Sequence, residues 1–150
     1  MARQTRRTSA ERHADHFYVD PEMEVLRSGI RELLHYHGTI FVFGSNLAGI
    51  HGAGAAWEAA THFGAARGVG EGMTGQAYAL PTKDKDLEVR PLEDIRVSVE
   101  RFLDYAEEYP AVDFFVTRVG CGFAGYTDAD IAPMFRDAPL NCVLPDGWGI

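Results

Sequence analysis

Cysteine is scarce in this chain: only Cys121 and Cys142 occur, with no CxxC pair and no histidines at ligand spacing. Neither a disulfide framework nor a zinc site is expected, and reduced thiols fit a cytoplasmic protein that needs no metal or cofactor. No stretch approaches the roughly 18 apolar residues of a membrane span, and residues 1–16 lack an apolar signal core, so no membrane association is expected. Positive charge is also in short supply, with 14 Lys and Arg against 22 Asp and Glu. Four of the arginines fall in residues 1–16 beside Glu11 and Asp15, which leaves ten basic and twenty acidic residues in 17–150. Direct nucleic-acid binding, which rests on clustered Lys and Arg, is therefore not expected of the body of the protein. The phosphate motif GxxxxGK[ST] and the dinucleotide fingerprint are missing. So are repeats, heptad runs and low-complexity segments that would mark a scaffold.

The chain is rich in something else: 16 glycines, many in two loops that follow apolar runs. Ile40, Phe41, Val42 and Phe43 form a continuous apolar segment suited to a strand buried on both faces. Gly44, Gly49, Gly52 and Gly54 follow, where a backbone must turn and approach a ligand closely. From Ala53 an alanine-rich helix begins, its free N-terminal amides facing the loop and suited to an anion. The pattern recurs when Val112 to Val119, a second strand, runs into Gly120-Cys121-Gly122-Phe123-Ala124-Gly125-Tyr126. Loops at the carboxyl ends of strands lie together where open α/β sheets bind ligands.

Around these loops the reading is of one α/β domain over 17–150, preceded by a disordered basic tail at 1–16. Asp20-Pro21 opens an amphipathic helix over 21–37 that Gly38 ends, and His35 and His37 form its polar terminus. Residues 66–76 read as a mobile glycine loop placed to cover a ligand. Ala77 to Leu80 is a short strand stopped by Pro81. Pro91 opens a helix whose stripe of Leu92, Ile95, Val99, Phe102, Leu103 and Ala106 is core. Thr127, Asp128 and Asp130 cap a helix that Pro133 keeps short, and Leu140 to Val143 closes the sheet. The core over 39–144 is expected to be a three-layer α/β/α arrangement around a mixed sheet.

Three segments, FGSNLAGIHGAGAAWEAATHFG, YALPTKD and VTRVGCGFAGYTDADI, resemble the macrodomain superfamily of ADP-ribose-binding modules in order and spacing. The resemblance lies closest to the terminal ADP-ribose glycohydrolase and DarG-type antitoxin branch. It implies a macrodomain-like fold and a site that binds ADP-ribose or a related nucleotide. That ligand is either free or attached to an ADP-ribosylated macromolecule. First-loop contacts are implied for Gly44, Ser45, Asn46, Gly52, Ala53 and Gly54, with Thr82 beside them, and second-loop contacts for Gly120 through Tyr126. It implies Lys83 as the residue that acts in hydrolysis of an ADP-ribosyl linkage, with Asn46 and His51 as further catalytic candidates. A neutral lysine amine can attack an anomeric carbon, and an ammonium can stabilise charge as the bond breaks.

The chain departs from the family at two points. Ala124 stands where the terminal glycohydrolases carry an acidic residue, leaving Asp84 and Asp128 as candidates for a general acid or base. The strand and acidic turn that read adenine are replaced by the helix at 21–37. Two alternatives follow: a bacterial or phage signal reader or sponge that binds without turnover, and an ADP-ribose 1″-phosphate phosphatase in which His51 moves a proton. Trp57, Phe123 and Tyr126 are candidates to stack on a base or ribose, or core plugs. Cys121, between glycines, is read as a small space-filling residue.

Overall fold

The computed structural model describes residues 21–149, so the basic stretch at 1–16 and the Asp20 cap lie outside the described residues. The chain runs α1 (Pro21–His37), β1 (Ile40–Asn46), α2 (Gly54–His62), β2 (Gly72–Thr74), β3 (Ala77–Lys83), α3 (Leu92–Glu108), β4 (Phe114–Val116), α4 (Asp128–Ile131), a 3-10 turn (Ala132–Phe135) and β5 (Cys142–Val143). The five strands form one mixed sheet in the order β2-β3-β1-β4-β5. Its three internal neighbours β3, β1 and β4 are mutually parallel, β5 is parallel to β4, and β2 is antiparallel to β3.

Alternation along β1 divides the core. Ile40 and Val42 face Ile95, Val99 and Phe102 of α3, with Tyr78 and Leu80 from β3 on the same side. Phe41 and Phe43 face Ala56 and Ala59 of α2 with Ala77 and Ala79 from β3. Strands buried on both faces thus carry unbroken apolar runs, and the helices lie on both sides of the sheet. Alanines on α2 and β3 let that helix sit close over the sheet, and Phe41 stacks on Phe63 at 4.5 Å just past its end. Phe43, Phe102, Phe114 and Phe135 are fully buried, each contributing about 2–3 kcal/mol of hydrophobic stabilisation.

Several elements differ from the sequence expectation, each for a local reason. Pro81 does not end β3. Its carbonyl accepts from Arg90 at 2.8 Å and not from β1, so the missing N–H faces a side that β2, which stops pairing at Ala79, has left open. β4 is shorter than Val112–Val119: the Thr117 amide makes the last ladder bond, to the Val42 carbonyl, and the chain then turns tightly as the Val119 amide donates to the Thr117 carbonyl at 2.7 Å. The 66–76 segment holds β2 and is anchored along its length, by Gly68 donating to the Gly49 carbonyl at 2.9 Å, by the Arg101–Glu71 ion pair at 3.2 Å and by the Gln76 side chain donating to the Thr39 carbonyl at 2.8 Å. It buttresses the first glycine loop and forms part of the sheet. α4 has the expected capping box between Thr127 and Asp130, and the Pro133 segment continues as a 3-10 turn. No helix among the described residues is long and apolar enough to cross a membrane.

Candidate functional site

β1 feeds α2 on one face of the sheet, whereas β3 feeds α3 on the other. β1 and β3 are neighbours in the sheet, and these opposite crossovers leave a crevice at their carboxyl ends. A cavity of about 570 Å³ occupies it, walled by the loops that follow β1, β3 and β4. Of the residues singled out in the sequence, Gly44, Ser45, Asn46, Gly52, Ala53 and Gly54 line it from the first loop, Thr82 and Lys83 from the end of β3, and Gly120 through Ala124 from the second loop. Gly125, Tyr126 and His51 are not among its lining residues. A second cavity of about 290 Å³ beside Asp128, Asp146 and Trp148 lies behind the second loop and presents two carboxylate-bearing residues.

The first loop is held by its own side chains. Asn46 donates from Nδ2 to the Ile50 carbonyl at 2.8 Å and accepts from the Ile50 amide at 3.0 Å, closing the turn before the helix. The buried Ser45 hydroxyl donates to the Gly70 carbonyl. His51 directs Nε2 to the Ala66 carbonyl at 3.1 Å and lies edge-on to Phe43 at 5.2 Å, so its ring is committed to the buttress segment. Its buried Nδ1 has no partner among the described residues. α2 then begins at Gly54 without a side-chain cap. The amides of Gly54, Ala55 and Ala56, which a helix leaves unbonded, all belong to residues lining the cavity.

The second loop closes on itself through Cys121 to the Arg118 carbonyl, Gly125 to the Gly122 carbonyl and Tyr126 to the Gly120 carbonyl. Between these bonds the amides of Gly122, Phe123 and Ala124 meet no backbone acceptor among the described residues. Tyr126 turns away, its hydroxyl donating to the Arg90 carbonyl at 2.7 Å. Arg90 in turn donates from its amide to the Thr82 carbonyl and from its guanidinium to Pro81 and Ser98. This chain of bonds fixes the end of β3, and with it Lys83, relative to the second loop. Arg90 and Tyr126 therefore position the site without lining it, a role no spacing in the sequence announced.

Lys83 and Arg118 are the charged residues among the cavity's lining, and no carboxylate lines it. Arg118 is turned outward, onto Asp128 at 2.8 Å and the Asp146 carbonyl at 3.1 Å. The Lys83 ammonium makes no ion pair among the described residues and lies 6.0 Å from the centroid of the Phe123 ring. Phe123 also reaches across the mouth to Gly54, where a Cβ would stand 3.0 Å from its ring edge. Trp57 lies edge-on to His62 at 5.9 Å and does not line the cavity.

The two acidic candidates are occupied elsewhere. Asp84 accepts from the Asp86 and Glu88 amides at 2.8 and 3.0 Å, organising the turn after Lys83. Asp128 accepts from the Trp148 indole at 2.9 Å and from Arg118, and these bonds hold its carboxyl below the usual aspartate value. A carboxyl so held stays ionised and is a poor proton donor near neutrality. Burial, and secondarily Asp128, push the Cys121 thiol up to about 11, so it is a neutral, weakly polar part of the wall. Ala55 and Ala56 were implicit in the uncapped helix, whereas Ile50 and Leu87, which also line the cavity, carried no signal in the sequence. Among the described residues no group of three or more His, Cys, Asp or Glu is placed to hold a metal ion. No family model matches the chain, and neither the curated proteins nor the solved structures contain a match to it.

Proposed function

We propose that the cavity binds a phosphate-bearing nucleotide of the ADP-ribose type. One observation carries this reading. Two sets of open amides, at the start of α2 and in Gly122–Ala124, belong to residues that line one cavity with no carboxylate in its wall, in a chain of formal net charge −8. Backbone amides at a helix N-terminus and in a glycine loop favour anions through fixed dipoles, without needing clustered basic side chains. Two such sets suit a diphosphate better than a single carboxylate or phosphate. The resemblance of the three segments to macrodomains supports ADP-ribose within that class and supports a macrodomain-like reading of the fold.

Binding without turnover is the primary reading, because the lining offers no carboxylate to protonate a leaving group or activate water. The position of Lys83 favours hydrolysis of an ADP-ribosyl linkage as a second reading, since its ammonium is the one lining cation not turned onto an acidic partner. The phosphatase alternative needs an imidazole facing the ligand. The His51 ring is engaged with Ala66 and Phe43, and it gains no support.

Calorimetric titration with ADP-ribose, followed by chemical analysis of the recovered ligand, tests both readings. Saturable binding with intact ligand is expected. Turnover that Lys83→Ala abolishes, with binding kept within about tenfold, establishes the hydrolase instead. A wild-type protein that takes up no ADP-ribose removes the proposal.

A further inference from the structure

The polar and apolar parts of the cavity lining are separated in a way that bears on which nucleotides it accepts. Apart from Lys83, each of its hydrogen-bonding side chains already makes at least one bond within the protein. Ser45 donates to Gly70, Thr82 to the Ser45 carbonyl and Thr117 to the Val42 carbonyl, Asn46 spends both ends of its amide on Ile50, and Arg118 is turned onto Asp128. Little remains to read the hydrogen-bonding edge of a base. Around the mouth, by contrast, Ile50, Leu87 and Phe123 line the cavity while 45%, 46% and 75% exposed. They come from three different loops, those after β1, β3 and β4. Single exposed apolar residues need no explanation, but three on one cavity form a collar.

Leu87 strengthens the point. It is the one non-glycine residue with positive φ among those described, at φ 65. Its turn is enforced by Asp84, which accepts from the Asp86 and Glu88 amides and whose own amide donates to the Glu88 carbonyl. Glycine would suit that backbone better, so the leucine side chain is held at the mouth against a local conformational preference.

We propose that the site grips its nucleotide by phosphate and by apolar contact with the flat face of the base, without reading which base it is. The ligand class is then nucleoside diphosphates and their ribose conjugates irrespective of base. The inference rests on the phosphate reading above. Phe123 offers a ring for stacking and Ile50 and Leu87 offer aliphatic surface, and every base has a face that such groups accept.

Calorimetric competition on the full chain with ADP, GDP, CDP, UDP and inorganic pyrophosphate tests it. All four nucleotides are expected within about fivefold of one another, the purines ahead through their larger area, and pyrophosphate at least about tenfold weaker. Leu87→Gly, which relaxes the turn and so should not impair folding, is expected to weaken all four by about three- to tenfold and leave pyrophosphate unchanged. ADP binding more than tenfold tighter than the other three shows that the base is read, and overturns the inference while the phosphate reading stands. Pyrophosphate binding as tightly as the nucleotides, or Leu87→Gly leaving all affinities unaltered, removes the collar. If neither pyrophosphate nor any nucleotide binds, the phosphate reading falls and the inference with it.

Discussion

In the loop after β1, Gly49 makes room for the protein's own backbone; in the loop after β4, Gly122 borders open space. A Cβ on Gly49 would stand 2.5 Å from the Gly68 Cα, and one on Gly70 would stand 2.7 Å from the Leu47 Cα. These glycines allow two loops to lie against each other, and Asn46, Ser45 and His51 bolt the assembly together. At Gly122 a Cβ would meet nothing within 4 Å, and the amides of residues 122–124 meet no backbone acceptor among the described residues. Two glycine-bearing segments therefore differ in kind: one is a wall that fixes the N-terminus of α2, and the other is open at its middle. Composition identifies both as glycine loops. Only the neighbours in space tell them apart.

The sharpest break in that comparison comes from Gly49→Ala. The residue has φ 69, and its new methyl would collide with backbone, which cannot move aside as a flexible side chain can. Conformational strain and overpacking together should cost about 2–4 kcal/mol, enough for a marked fall in urea midpoint at an unchanged slope. A loss under about 0.5 kcal/mol would mean that the first loop is no more rigid than the second.

A smaller effect is expected at Asn46. Removing its amide with Asn46→Ala deletes both bonds to Ile50, which should cost about 1–2 kcal/mol. It should also weaken ADP-ribose binding, because the entry into α2 loses its anchor. Amide exchange of residues 47–54 measures this directly: faster exchange confined to the first loop sharpens the contrast, and unchanged exchange there refutes the bolting role.

Asp128 gives the comparison a pH dependence, because it ties the flank of the second loop to Trp148 and Arg118. Its folded pKa lies below the ordinary aspartate value, chiefly through the Trp148 hydrogen bond. The stability it contributes is therefore present above that ordinary value, near 3.8, and lost as pH falls through the folded value. Comparing urea unfolding of wild type and Asp128→Asn at successive pH values should show a modest gap near neutrality that closes only as the pH falls below the ordinary aspartate value and through the lower folded one. A gap that persists at the acid end would assign it to packing, since a half-exposed carboxylate contributes little beyond its charge.

What was legible in the sequence follows from where each signal resides. Strand β1, helices α1 to α3 and the capping box at Thr127 announce themselves through apolar periodicity and end residues, which are local properties. The cavity-lining glycines were found because they end or follow apolar runs, and Lys83 through the resemblance of YALPTKD to macrodomains. The withdrawal of His51 and Tyr126 from the cavity depends on partners 15 and 36 residues away, which no local pattern encodes, whereas β2 and the passage of β3 through Pro81 rest on nearer partners that carry no periodic signal. Leu87 was unreadable for a different reason: its importance lies in a backbone angle that the local Asp84 turn imposes, and a leucine is not a residue that marks such an angle. Helix α1 shows the opposite error of a local signal: its apolar spacing is regular, yet none of its residues is fully buried.

The least disruptive substitution in folding terms is the most informative about function. Gly122→Ala adds a methyl where a Cβ has open space, and φ there is not in the left-handed region, so stability should move by less than about 0.5 kcal/mol. The same methyl projects from the middle of the second loop, beside the amides of Phe123 and Ala124, where a phosphate would have to come within about 3 Å. Affinity for ADP-ribose should therefore fall by about tenfold or more while the melting temperature stays put. Gly49→Ala, at the other loop, should do the reverse and damage folding before it affects whatever folded protein remains. If Gly122→Ala instead unfolds the protein, or leaves both stability and affinity untouched, the second loop is structural and the phosphate cradle must be sought at the N-terminus of α2 alone.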